Sequence, residues 1–150
     1  MNHLYLLDTD IIIFLLRGTH PAIADRVRLV GDRRIAAAAI TFADLYYGAW
    51  CSTRVDEGLR AVDQFRRRVR MIPFDRRAAV LFGRLKSGLR GHAPGDSDLF
   101  IAATALAADA VLVTNNLRHF AAIDGLAVES WVTPAPAGAP SAPRRRKPRA

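Results

Sequence analysis

The sequence predicts an α/β fold, a short central and mostly parallel sheet flanked by helices. Two observations carry this reading. Short apolar runs suited to buried strands alternate along the chain with longer segments of helical periodicity. Polar residues also stand just past the carboxyl ends of two of those runs, Asp8 after the first and Asn116 after the fourth. In open α/β sheets that is where ligands bind.

The elements follow in order. Residues 3 to 7, HLYLL, make the first strand, and Asp8 or Thr9 caps a helix, TDIIIFLLRG, that Gly18 stops. A second helix spans Pro21 to Val30, with proline in its first turn and Gly31 after its end. Arg34 to Ala39 is alanine-rich and poor in β-branched residues, and it reads either as a weak strand or as a helix. Thr41 begins a capping pattern, Thr41-x-x-Asp44, which puts Asp44 in the first turn of a helix running to Trp50. Val55, Leu59, Val62, Phe65 and Val69 recur at helical spacing, and the opposite face carries Arg60, Arg66, Arg67, Arg68 and Arg70. Met71 to Phe74 is a brief strand, and Asp75 opens a helix to about Leu89. After a loop at residues 92 to 97, Ser97 caps an apolar helix from Asp98 to Ala108. Strands at Ala110 to Val113 and Ala127 to Trp131 complete the series.

Composition sets the bounds. Residues 1 to 133 form one domain of ordinary size, and residues 134 to 150, PAPAGAPSAPRRRKPRA, lack apolar bulk and are expected to form a disordered basic tail. Cys51 is the only cysteine, which excludes an intrachain disulfide and a cysteine-based zinc site. No apolar run approaches the roughly 18 residues a membrane span needs. The start, MNHLYLLDTD, lacks the basic region of a signal peptide, so a cytoplasmic location is expected and no membrane partner. Of 22 basic side chains five lie in the tail, leaving 17 against 14 acids in residues 1 to 133, a net charge of +3. A mildly basic body with a strongly basic tail favours a polyanionic partner without saying where it binds.

Acids are scarce enough to follow one by one, twelve Asp and two Glu. Asp8 is flanked by YLL and, two residues on, by IIIF; Asp98 precedes LFIAATALAA at the mouth of a buried helix. Burial raises a carboxyl pKa unless a cation or hydrogen-bond donors compensate. Each acid has a structural explanation as well: a helix cap for Asp8, a first-turn acid for Asp98, a capping-box member for Asp44. If all three project into one cleft, their mutual repulsion calls for a divalent cation. Carboxylates with an amide and water oxygens suit Mg²⁺, with Mn²⁺ the alternative. Such an ion activates water against a phosphodiester.

The segments YLLDTDIIIFLLRG, ITFADLYYGAW, MIPFDRRAAVLFGRLKSGLRG, DSDLFIAATALAADAVLVTNNLRHF and GLAVESW resemble, in order and spacing, PIN-domain ribonucleases of the VapC type over about residues 3 to 132. The resemblance implies a PIN fold with acidic metal ligands at one end of the sheet. Asp8 and Asp98 match the first aspartate and the aspartate opening the xDxxIAA helix; Asn116 and Thr114 match the motif after the late strand. It further implies a Mg²⁺-dependent toxin of a type II toxin-antitoxin pair that cuts structured RNA, a cognate antitoxin that covers the cleft, and a homodimer. One departure stands out: where the family usually has glutamate, this chain has Asp44, one methylene shorter, which leaves direct ligation or ligation through water open. Asp96 is a reserve ligand or an ordinary turn acid.

Other features read less specifically. Arg84, Arg90, Arg118 and the Arg66 to Arg70 group either bind phosphates or form solvated faces, and Phe42, Tyr46, Tyr47 and Trp50 are either a contact surface or core. His3, His20, His92 and His119 show no metal-ligand spacing, with His92 a conceivable auxiliary. Asp8-Thr9-Asp10 after a strand also fits a haloacid-dehalogenase-type phosphatase with Asp8 as nucleophile, but that chemistry needs a lysine near the phosphate, and Lys86 stands mid-helix. A degenerate module that binds RNA or a partner without cleavage is the non-enzymatic alternative.

Overall fold

A computed structural model describes residues 2–91 and 94–133; His92 and the basic tail therefore lie outside the described residues. Strand β1 (Tyr5–Leu7) leads through Asp8 into helix α1 (Thr9–Arg17), and α2 (Pro21–Val30) follows. A 3₁₀ turn (Asp32–Arg34) precedes β2 (Ile35–Ala38), which runs into the helical pair α3 (Ala39–Trp50) and α4 (Val55–Arg68). Then come β3 (Arg70–Ile72), α5 (Arg76–Gly88), α6 (Asp96–Ala107), β4 (Val111–Val113), α7 (Leu117–Phe120) and β5 (Val128–Glu129). The five strands form one sheet in the order β3-β2-β1-β4-β5, every pair parallel.

Because side chains alternate along a strand, the sheet divides the core in two. Tyr5, Leu7, Ile35, Ala37, Val111 and Val113 face α1 to α4, while Leu6, Ala36, Ala38 and Leu112 face α5, α6 and α7. Both faces are dry, as a sheet made by parallel crossovers requires. All four residues of β2 are fully buried, which decides its ambiguity in favour of a strand. Alanine is poorly suited to strands by propensity, but here it fits closely packed helices on both faces, and packing overrides propensity.

Two helix starts differ from the capping patterns. Helix α3 begins at Ala39 with Ala38 as N-cap, so Thr41 is its third residue and Asp44 its sixth, in the second turn. The Thr41 hydroxyl is buried without a hydrogen-bond partner among the described residues. Helix α6 begins at Asp96 with Gly95 as N-cap, two residues before the expected start, and Ser97 lies inside it. In neither case does the polar side chain cap its helix; Ser97 instead reaches Asp44 Oδ2 at 3.4 Å. By contrast, Asp8 does cap α1, accepting from Thr9 N–H at 2.8 Å, and Gly18 closes that helix in the left-handed conformation at φ 66°.

Candidate active site

Asp8, at the carboxyl end of the central strand, is only 5% exposed. Its backbone N–H continues the sheet by donating to Val113 O at 2.8 Å, which holds the residue in place. Its two carboxylate oxygens each receive one donor: Thr9 N–H reaches Oδ1 at 2.8 Å, and the fully buried Thr114 hydroxyl reaches Oδ2 at 2.7 Å. Burial is the foremost reason its pKa stands above the ordinary 3.8; the Thr114 and Thr9 bonds pull it down, and the charges of Asp98 and Asp10 push it up again. Among the described residues no cationic side chain pairs with Asp8, which shares its surroundings with two further acids.

The neighbours come from three other segments. Asp98 is the third residue of α6, half-buried, with its Oδ2 2.9 Å from His119 Nδ1. Asp44 is half-buried on α3, with Thr9 Oγ1 and Ser97 Oγ both 3.4 Å from its Oδ2, long contacts that tie α1, α3 and α6 around it. Asn116, past β4, donates through Nδ2 to Asp10 Oδ2 at 3.2 Å, and its backbone N–H donates to Thr114 Oγ1 at 3.1 Å. The acids foreseen in the sequence, Asp8, Asp44 and Asp98, therefore stand on the α1, α3 and α6 elements joined by these contacts. Asp96 turns away to Lys86, at 2.9 and 3.1 Å from its two oxygens, with both side chains more than half exposed.

Asp10, Thr9, Ser97 and His119 were not singled out for the site. Asp10 had a visible signal as the second acid of the Asp8-Thr9-Asp10 run. His119 lies one helical turn beyond Asn116, a spacing that places both on one side of α7 once the helix is known. Local rules make Ser97 a cap, but α6 starts earlier, at Asp96, and the Ser97 hydroxyl is left to meet Asp44.

The donor set is hard oxygen throughout: carboxylates, hydroxyls and an amide. Among the described residues no three Asp, Glu, His or Cys side chains are gathered closely enough to form a metal-holding group by themselves. Mg²⁺ does not need one, since it retains several waters and is held by one or two carboxylates together with substrate phosphates. A buried acid with a raised pKa beside two more acids is the environment that a divalent cation relieves. The residues present fit such an ion, which Asp8 and Asp98 would hold.

Beside Asp44, α1, α3 and α4 enclose a groove of about 400 Å³, with Ile13, Leu16 and Val62 in its wall and Arg17 and Arg54 at its edge. The aromatic stripe of α3 is divided: Phe42 is core, Tyr46 is half-buried and hydrogen-bonded to Asp63, and Tyr47 and Trp50 are exposed. Arg68 of the basic face is held by Asp32 at 3.0 and 3.1 Å, a structural pair.

A parallel sheet in this order with acids beyond its carboxyl edge places the cluster where open α/β sheets carry their functional sites. The PIN domain family matches residues 5–126, and the chain belongs to that family. It is 34% identical over 131 residues to Ribonuclease VapC1 of Haemophilus influenzae strain R2866, covering 85% of this chain and 98% of that one. It is 33% identical over 129 residues to the tRNA(fMet)-specific endonuclease VapC of Salmonella typhimurium, covering 85% and 97%. Among solved structures, DNA-bound VapBC from Salmonella typhimurium superposes with a TM-score of 0.81 at 33% identity, over 86% of this chain and 98% of that one. These likenesses replace the phosphatase reading, and the lysine that chemistry would need, Lys86, is engaged with Asp96 and lies over the Phe82 ring. No helix among the described residues is long and apolar enough to cross a membrane.

Proposed function

We propose that this protein hydrolyses RNA phosphodiester bonds at the Asp8 carboxylate cluster and is the toxin of a VapBC-type toxin-antitoxin pair. The observation that carries the reading is Asp8 itself. It is a buried acid, held by two donors and crowded by the charges of Asp98 and Asp10, in a chain whose relatives are VapC ribonucleases.

The ion is Mg²⁺ or Mn²⁺, and when bound it supplies an activated water and a counter-charge for the leaving oxygen. The chain's own residues do the rest. Thr9 N–H and Thr114 Oγ fix the Asp8 carboxylate, which would present it preorganised to an ion. Asp98 offers a second carboxylate from the start of α6. Asp44, where Thr9 and Ser97 meet it, adds negative charge and would assist in holding the ion directly or through water. Arg17 and Arg54 edge the adjoining groove, where they would attract RNA phosphates. The same groove, with exposed Tyr47 and Trp50 on its helix α3, offers apolar area for an antitoxin segment.

Purified protein should cleave RNA in Mg²⁺ or Mn²⁺ and stop when EDTA is added. Asp8→Asn and Asp98→Asn should each lose activity by about 100-fold or more while the far-ultraviolet circular dichroism stays unchanged. Cleavage that persists in EDTA, or in Asp8→Asn, would overturn the assignment. Co-expression with the product of the neighbouring open reading frame should yield a stable, inactive complex.

A further inference from the structure

Three side chains on the short arc that follows β4 each grip a different acid. Thr114 Oγ1 donates to Asp8 Oδ2 at 2.7 Å, Asn116 Nδ2 donates to Asp10 Oδ2 at 3.2 Å, and His119 Nδ1 meets Asp98 Oδ2 at 2.9 Å. The arc is anchored at both ends. Thr114 is fully buried and its N–H donates to Glu129 O at 3.0 Å, while Phe120, next to His119, is 1% exposed in the core. His119 itself is more than half exposed, so packing does not explain its orientation.

We infer that His119 is a positioning residue for Asp98. It holds Oδ2 and leaves Oδ1, which makes no hydrogen bond among the described residues, free to face the ion. An ionised carboxylate only accepts, so the imidazole must carry its proton on Nδ1 and donate. A hydrogen-bonded carboxylate loses rotational freedom about its terminal torsion, and partners of this kind that orient a metal ligand typically contribute 10- to 100-fold in affinity or activity. Helix α6 packs on α7, so the pair also ties the Asp98 end of the site to the arc that holds Asp8 and Asp10. Asn116 serves the same orienting purpose one turn earlier, donating one amide hydrogen to Asp10 Oδ2.

The inference rests on the metal-site reading above, and its test separates the two. Mn²⁺ affinity is measured on the full chain by the electron paramagnetic resonance of free Mn²⁺, beside kcat and KM for RNA. Asparagine carries its amide nitrogen where His119 has Nδ1; glutamine carries its own one methylene farther out. His119→Gln should weaken Mn²⁺ binding about tenfold or more and lower kcat with little change in KM, whereas His119→Asn should stay within about threefold of wild type. Since His119 is exposed, both variants should keep the wild-type melting temperature within a few degrees. Wild-type Mn²⁺ affinity in His119→Gln, or equal losses in the two variants, would overturn the inference alone. Nitrogen coupling from a coordinated imidazole in the Mn²⁺ spectrum, lost in both variants, would also overturn it, by making His119 a ligand. Wild-type protein that binds no Mn²⁺ would overturn the metal site and this role with it.

Discussion

Thr114→Val removes one oxygen from the most buried part of the site and keeps the side-chain shape. That oxygen does two things: it donates to Asp8 Oδ2 at 2.7 Å and accepts from Asn116 N–H at 3.1 Å. Both Asp8 and Thr114 are shielded from water, at 5% and 0% exposure, so solvent cannot replace the lost donor. A hydrogen bond to a charged group is worth about 1.5–3 kcal/mol, and the orphaned N–H adds about 1 kcal/mol, for a loss of about 2.5–4 kcal/mol at neutral pH. In a domain of this size that lowers the melting temperature by about 8–16 °C. The pH dependence has a definite sign. The folded pKa of Asp8 already stands above 3.8, so its contribution to stability is full below 3.8 and is lost as pH rises through the folded value. Without the Thr114 bond that pKa climbs further, and the deficit of the variant grows from mild acid towards neutrality. Thermal denaturation in EDTA from pH 4 to pH 7 measures it, with Thr114→Ser, which keeps the hydroxyl, as the control. A deficit that is the same at pH 4 and pH 7, or absent at pH 7, would refute the part assigned to this bond.

Three further outcomes follow from the same geometry. Saturating Mg²⁺ should stabilise the wild type, by about 2.7 kcal/mol at 100 times its dissociation constant, and leave the melting temperature of Asp8→Asn nearly unmoved; equal shifts would place the ion elsewhere. Asp44→Glu should retain or raise RNA cleavage, because the added methylene brings the carboxylate nearer the cleft, and a loss of more than about tenfold would show that Thr9 and Ser97 hold a site matched to the shorter acid. Gly58 lies against α3, where an added Cβ would meet Ala49 Cβ at 3.1 Å and Ala49 Cα at 3.2 Å, so Gly58→Leu should destabilise the α3–α4 pair by about 1–3 kcal/mol in urea denaturation, and unchanged stability would contradict that close approach.

Much of this protein could be read before any coordinates. The alternation of apolar runs with amphipathic segments determined the α/β class, and the position of Asp8 after Tyr5-Leu6-Leu7 determined that a carboxylate would end the central strand. The reason is local: a side-chain period of two or of 3.6 residues and the polarity of one flanking residue are properties of the chain itself. Asp98 and Asn116 were legible in the same way, from the apolar helix and strand they adjoin, and the family pattern joined them with Asp8 and Thr114 as members of one expected site.

Only the tertiary structure decided the rest. The alanines of β2 became a strand because two helical layers close on them, an effect absent from the local sequence. Thr41 and Ser97 look like caps on local rules, yet both helices start earlier, and Ser97 joins Asp44 from 53 residues away. Asp96 and Asp98 are both first-turn acids of α6, but the helix turns one towards Lys86 and the other towards His119. Whether an acid belongs to the site depends on which side of its helix faces the sheet edge, and that direction is set by long-range packing rather than by the residues beside it.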